Sequence, residues 1–302
     1  MDVMVEWYIL MLIPIALGTI VAITEKKALM KEHAMELSTV FALMIAGLSL
    51  ILLPFADFSF PTYYWLIIYI ASVFGAVAFL FIAKAVRHLE LSKSSPLFTF
   101  NPVITAVLAW LILKENLGTS QIIGIIIIFA GSYFLEMKPK KSYIKELLTP
   151  FKAMIKSKYV HFMLFAMFLY SLTALIDRYL LNSANAGAIN PFSYIIIIHF
   201  FIAINMLAMI HIFHDGWKGI KHGFKSAGGW IFLMAVALFA SRSVQTYVVS
   251  LPAAKIALVT AMKRGSTVFT TILGGEIFHD KHLLQRSLAA LGMVIGAIIM
   301  VI

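Results

Sequence analysis

"EMKPKKSYIKELLTPFKAMIKSKY", residues 136 to 159, is the longest polar break in a chain that is otherwise 62% hydrophobic. It carries seven lysines and two prolines, and everything on either side is counted from it. Five apolar runs precede it, near 7–24, 38–54, 62–83, 95–113 and 119–136, and five follow, near 160–177, 193–213, 229–250, 256–275 and 284–302. Each approaches the roughly 20 residues that a helix needs to cross a bilayer core. Only 13% of the residues are charged, against about 25% in soluble domains. The composition predicts an all-α membrane protein of ten transmembrane helices, spans 1 to 10 below.

Five is odd, so two related units of five would enter the membrane in opposite senses, the inverted repeat common in secondary transporters. The units are 1–137 and 160–302, joined by a basic linker at 138–159. Within the linker, Ile144, Leu147, Leu148 and Phe151 share one side of a possible surface helix; a solvated linker is the alternative. Spans 1 and 6 both end in an acid followed by a base, "TEKKAL" (24–29) and "IDRYLL" (176–181), and spans 4 and 9 both close on a glutamate, Glu115 and Glu276. Gly124 and Gly131 repeat the spacing of Ala289 and Gly296, small residues that let helix backbones approach.

The N-terminus lacks a positive leader and a cleavage site, so span 1 is expected to be retained. The absence of cysteine excludes disulfides, thiolate metal sites and thiol redox chemistry. The net charge of +10 points to the membrane surface rather than nucleic acid, because lysine and arginine gather beside the spans. The gaps after spans 1, 3, 5, 7 and 9, together with Arg286 at the start of span 10, hold eighteen of the 24, the remaining gaps and termini three, and span interiors the other three. The positive-inside rule then puts the odd gaps in the cytoplasm and both termini outside, in a multi-pass protein of the plasma membrane. No phosphate-cradling glycine loop, zinc-protease motif or nucleophile elbow is present, so neither direct ATP use nor an enzyme has support, and no cofactor is implied. His211 with His214, and His279 with His282, lack a third ligand at recognisable spacing, so no metal is expected. His199 reads as a hydrogen-bonded core histidine.

Three cations lie inside spans. In "TAMKRGSTVFTTILGGE" (260–276), Lys263 is too deep to snorkel to either interface, and a charge there costs at least about 2.5–3.5 kcal/mol. Thr260, Lys263, Thr267, Thr270 and Gly274 follow helical steps and form one polar face. Arg264 points about 100° away, to a cavity edge or a neighbouring helix. Arg242 shares a face with Gln245 and Thr246. Asp177 and Glu25 are the candidate proton-coupling acids; ion pairs with the adjacent cations are the simpler expectation. In span 4, Ser95, Thr99, Asn101 and Thr105 surround Pro102, whose missing donor requires protein or a cavity to satisfy the freed carbonyl. Aligning Glu115 with Glu276 sets Pro102 opposite Lys263.

"FTFNPVITAVLAWLILKENLGTSQIIGIIIIFAGSYFL" (98–135) and "AMKRGSTVFTTILGGEIFHDK" (261–281) resemble spans 4–5 and 9 of the EamA-type branch of the drug/metabolite transporter superfamily. The resemblance implies ten helices around a central cavity and alternating access. Adjacent Lys and Arg in span 9 also resemble the triose-phosphate translocators, which there hold a phosphate. Their span 4 lysine is replaced here by Phe98. Relatives of this kind generally keep both termini in the cytoplasm, the reverse of the charge count.

The combined expectation is a secondary transporter of a small, anionic metabolite, carboxylate or phosphate bearing. Lys263, Arg264, Arg242, Asn101, Thr105, Thr260, Thr267 and Thr270 would bind it, with Glu25 or Asp177 available for proton coupling. A proton-coupled exporter of amino acids or amphiphilic compounds is the alternative, and a non-transporting membrane scaffold or partner subunit is the alternative of another class. The partners implied are a small-molecule substrate and the bilayer; oligomeric state is open.

Overall fold

The computed structural model describes residues 3–88, 100–136, 158–185, 187–277, 288, 291–296 and 298–299. The basic linker with its possible surface helix, Ser95, Phe98, Thr99, His279, His282, Ala289 and most of span 10 fall outside the described residues. Among those described there is no strand. Helix α1 spans Val3–Leu10 and α2 Leu12–Leu29; α3, Ala34–Ser49, tightens into a 3₁₀ segment over Leu50–Phe55. Then follow α4 (Tyr64–His88), α5 (Phe100–Leu108) with a π segment over Ala109–Leu113, and α6 (Thr119–Glu136). The second half holds α7 (Lys158–Leu181), α8 (Pro191–Phe213), α9 (Trp217–Ser250), α10 (Ile256–Lys263) and α11 (Ser266–Ile277). Among the described residues, six helical stretches are long and apolar enough to cross a membrane: Trp7–Leu29, Ala34–Phe55, Tyr64–His88, Lys158–Leu181, Pro191–Phe213 and Trp217–Ser250. Asn101–Leu113 and Thr119–Gly131 are shorter apolar helices at spans 4 and 5.

Local chemistry sets the boundaries. The imidazole of His33 accepts from Met35 N at 3.3 Å and starts α3. Asn190 accepts from the Phe192 and Ser193 amides at the start of α8, where Pro191 occupies the first turn and loses no needed donor. Gly216, with φ +54°, reverses the chain between α8 and α9.

Span 9 departs from the sequence expectation of one continuous helix. It breaks after Lys263, and Arg264, Gly265, Thr267 and Val268 donate to carbonyls three residues back instead of four. The rotation per residue changes at the break, so the threonine stripe does not continue unbroken from Thr260 to Thr270.

The main packing runs between helices before the linker and helices after it. Helix α2 packs on α9 and α11, α3 on α8 and α9, α4 on α7 and α8, and α5 on α7 and α10. The gaps after spans 1 and 7 meet at one end, where His33 and His214 are joined and the α2–α3 corner touches α9 through Glu36 and His222. The even gaps meet at the other: Asp57 N donates to Ser193 Oγ at 2.8 Å, Arg178 pairs with Glu115, and Lys255 donates to the Asn116 carbonyl.

Candidate functional site

The break in span 9 faces helices of both halves. Lys263 Nζ donates to Gln245 Oε1 of α9 at 2.8 Å, while Arg264 donates through Nη2 to Asn101 Oδ1 of α5 at 2.9 Å. Lys263 and Arg264 thus diverge as helical geometry predicts, towards different neighbours. Both remain partly accessible, although the α10 residues Ile256 to Met262 are all buried.

Asn101 is 5% exposed and fully used. Its amide donates to Met167 O at 3.1 Å and to Ser171 Oγ at 3.0 Å, while its oxygen accepts from Arg264. Thr105 is wholly buried and donates to Asn101 O, and Thr260 donates back to the Ile256 and Ala257 carbonyls of its own helix. These three groups satisfy the interior and present little to a ligand. Thr267 and Thr270 keep partial exposure.

Arg242 Nη2 lies 3.1 Å from Asp177 Oδ2, and Tyr194 donates its hydroxyl to Asp177 Oδ1. Asp177 therefore does not pair with the adjacent Arg178, as the sequence suggested. Arg178 Nε instead meets Glu115 Oε1 at 3.0 Å, and its Nη1 and Nη2 donate to the carbonyls of Val249, Leu251 and Pro252. The guanidinium satisfies carbonyls at the end of α9 while Glu115 Oε2 accepts Ile256 N at the start of α10, so each charge sits on the helix end whose dipole it complements. The proposed counterpart of Glu115, Glu276, is exposed.

Glu25 Oε1 is buried and accepts no hydrogen bond, and Tyr170 is within electrostatic range of Glu25, Arg242 and Arg264. Nδ1 of His199 likewise has no hydrogen bond, contrary to the bonded core histidine expected. Its surroundings include Arg242. The site thus gathers Lys263, Arg264, Arg242, Asp177, Asn101 and Glu25 around α2, α5, α7, α9 and the α10–α11 break. Sequence reasoning missed Ser171 and Tyr194. Each sits in an apolar helix with no charged neighbour to mark it, and only the fold brings it to its partner.

No curated protein matches the sequence. Residues 5–137 match the EamA-like transporter family. That match bears out the resemblance to the drug/metabolite transporter superfamily, and with the apolar helices it supports an integral membrane protein that transports small molecules. A solved structure described as "Crystal structure of protein" superposes with a TM-score of 0.70 at 12% identity, covering 97% of each chain. At that identity the likeness concerns the fold.

Proposed function

We propose that the protein is a secondary transporter of small anionic metabolites, with Lys263 as the principal charge contact. One observation carries this reading. Arg242 is matched by Asp177 and Arg178 by Glu115, whereas Lys263 has the neutral amide of Gln245 as its partner among the described residues. A cation within a membrane span without a matching carboxylate attracts an anion strongly. Arg264 lies beside it as a second donor; Thr267 and Thr270 supply hydroxyls. Arg242, Asn101, Thr105 and Thr260 shape the site behind these groups.

Two related five-span units entering the membrane in opposite senses, 1–137 and 160–302, would provide alternating access. The moving bodies would not be the two halves themselves, because the main helix contacts run between the halves. One group would comprise α2, α3, α8, α9 and α11, the other α4, α5, α7 and α10. The α10–α11 break lies where the chain passes from one group to the other, next to the charged pair.

A proton-coupled exporter is the second reading, favoured by Asp177 between a cation and a tyrosine hydroxyl. Counterflow in liposomes separates them. Small carboxylates and phosphates should compete with the native protein, and Lys263→Ala should lose at least about tenfold of that competition, equal to about 1.4 kcal/mol of anion binding. Competition by zwitterions alone favours the exporter; anion competition unchanged in Lys263→Ala refutes the proposed site.

A further inference from the structure

At the end where the gaps after spans 1 and 7 meet, the α2–α3 corner and the first turns of α9 bring Glu32, Glu36 and His222 together. Nδ1 of His222 lies 3.2 Å from Glu32 Oε2 and 3.1 Å from Glu36 Oε2. One ligand atom from each of the three residues falls within 4.8 Å of the other two. Ligands held about 2.0–2.2 Å from a tetrahedral zinc are about 3.3–3.6 Å apart, so small shifts would let all three atoms face one ion. We propose that Glu32, Glu36 and His222 form a binding site for one divalent transition-metal ion of the zinc type.

Glu32 supplies the independent observation. Its carboxylate side chain is 0% accessible, and neither oxygen accepts a hydrogen bond. A buried carboxylate left without hydrogen bonds is expensive, and a second carboxylate beside it compounds the repulsion. The proton on one imidazole nitrogen offsets part of this charge; a divalent cation bound by both carboxylates and the deprotonated Nδ1 offsets more. The His222 side chain is 60% exposed, which leaves an entry path and room for water to complete the coordination. An imidazole with two carboxylates suits zinc better than magnesium, which prefers oxygen ligands and retains its waters.

His33, His214 and Asp215 form the adjoining layer. The His33 and His214 rings are linked at 3.0 Å, and Glu36, His214 and Asp215 form a second close group. Glu36 belongs to both groups, so the neighbouring imidazole and carboxylate help orient it. A metal here would tie the α2–α3 corner of the first five-span set to α9 of the second.

The test uses the full-length chain in detergent micelles, free of any histidine tag and stripped with chelator. Zinc uptake is measured by competition with a chromophoric chelator at pH 7.5. The native protein should take up one zinc per chain. Glu36→Gln and His222→Ala should each weaken that binding at least about tenfold, the lower end of the loss seen when even outer partners of a metal are removed. His161→Ala, remote in sequence on α7, should leave it unchanged. No uptake by the native protein at about 100 micromolar zinc, an affinity too weak for a built site, overturns the proposal. So does uptake that persists undiminished in Glu36→Gln and His222→Ala. The native result stands whether or not a variant folds, and gel filtration shows which variants do.

Discussion

Asp177 and Lys263 both lie within apolar spans, yet their surroundings give them different tasks. Asp177 holds Arg242 at 3.1 Å and accepts from Tyr194, so replacing it strands a guanidinium. Removing one member of such a pair costs about 3–5 kcal/mol. Asp177→Asn is therefore expected to lower the thermal unfolding midpoint in detergent markedly, and adding Arg242→Gln to recover part of the loss. Equal midpoints for native protein and Asp177→Asn would show that the pair contributes little. Lys263→Ala removes a cation held by a neutral amide, so its effect should fall on substrate competition far more than on the midpoint. Both residues stood out in the sequence as intramembrane charges. Their division into paired and available was not legible there, because the choice between Arg178 and Arg242 as partner of Asp177 depends on where α9 lies.

Among the elements, close approach of backbones is set by small residues. A Cβ on Gly296 would meet the Gly124 carbonyl oxygen at 3.0 Å, together with Ile127 and Ile128, which gives the glycine spacing of spans 5 and 10 a packing role. A Cβ on Gly18 would come within 2.9 Å of the Ser266 Cβ, at the first turn of α11. Gly18→Ala should cost about 1–3 kcal/mol by overpacking. In a double-mutant cycle with Ser266→Gly the pair should lose less than the sum of the single changes, since the clash disappears with the serine Cβ. Strict additivity would mean that α2 and α11 adjust freely. The break between α10 and α11 was harder to foresee. Lys263, Arg264 and Gly265 fit a helical pattern by period, and Gly265 was the one local sign of a bend. A Cβ there would lie 3.0 Å from Met262 O and 3.3 Å from Ile15, so the tight turn and its neighbour together call for glycine.

For the whole molecule, helix α8 measures the distance between the two ends. Its 23 residues extend about 34 Å, the thickness of a membrane core, from the Asp57–Ser193 contact to Asp215. Ser59 and Asp215 are both exposed, and the chain has no cysteine, so single cysteines at these positions report topology directly. They should be labelled from opposite sides of the membrane, Ser59→Cys from outside if the charge asymmetry sets orientation. Labelling of both from one side would contradict the arrangement of α8. At the even-gap end, Arg178 is buried against Glu115 and Lys255 is bound to a backbone carbonyl. By itself the sequence determined the membrane class, the positions of most spans and the residues too polar for lipid, since hydropathy and helical period are properties of contiguous residues. Only the tertiary structure decided which charges are neutralised, which helices of one half lie on which of the other, and that Glu32, Glu36 and His222 share a corner. Those outcomes depend on contacts between residues tens to hundreds of positions apart, which local periodicity does not encode.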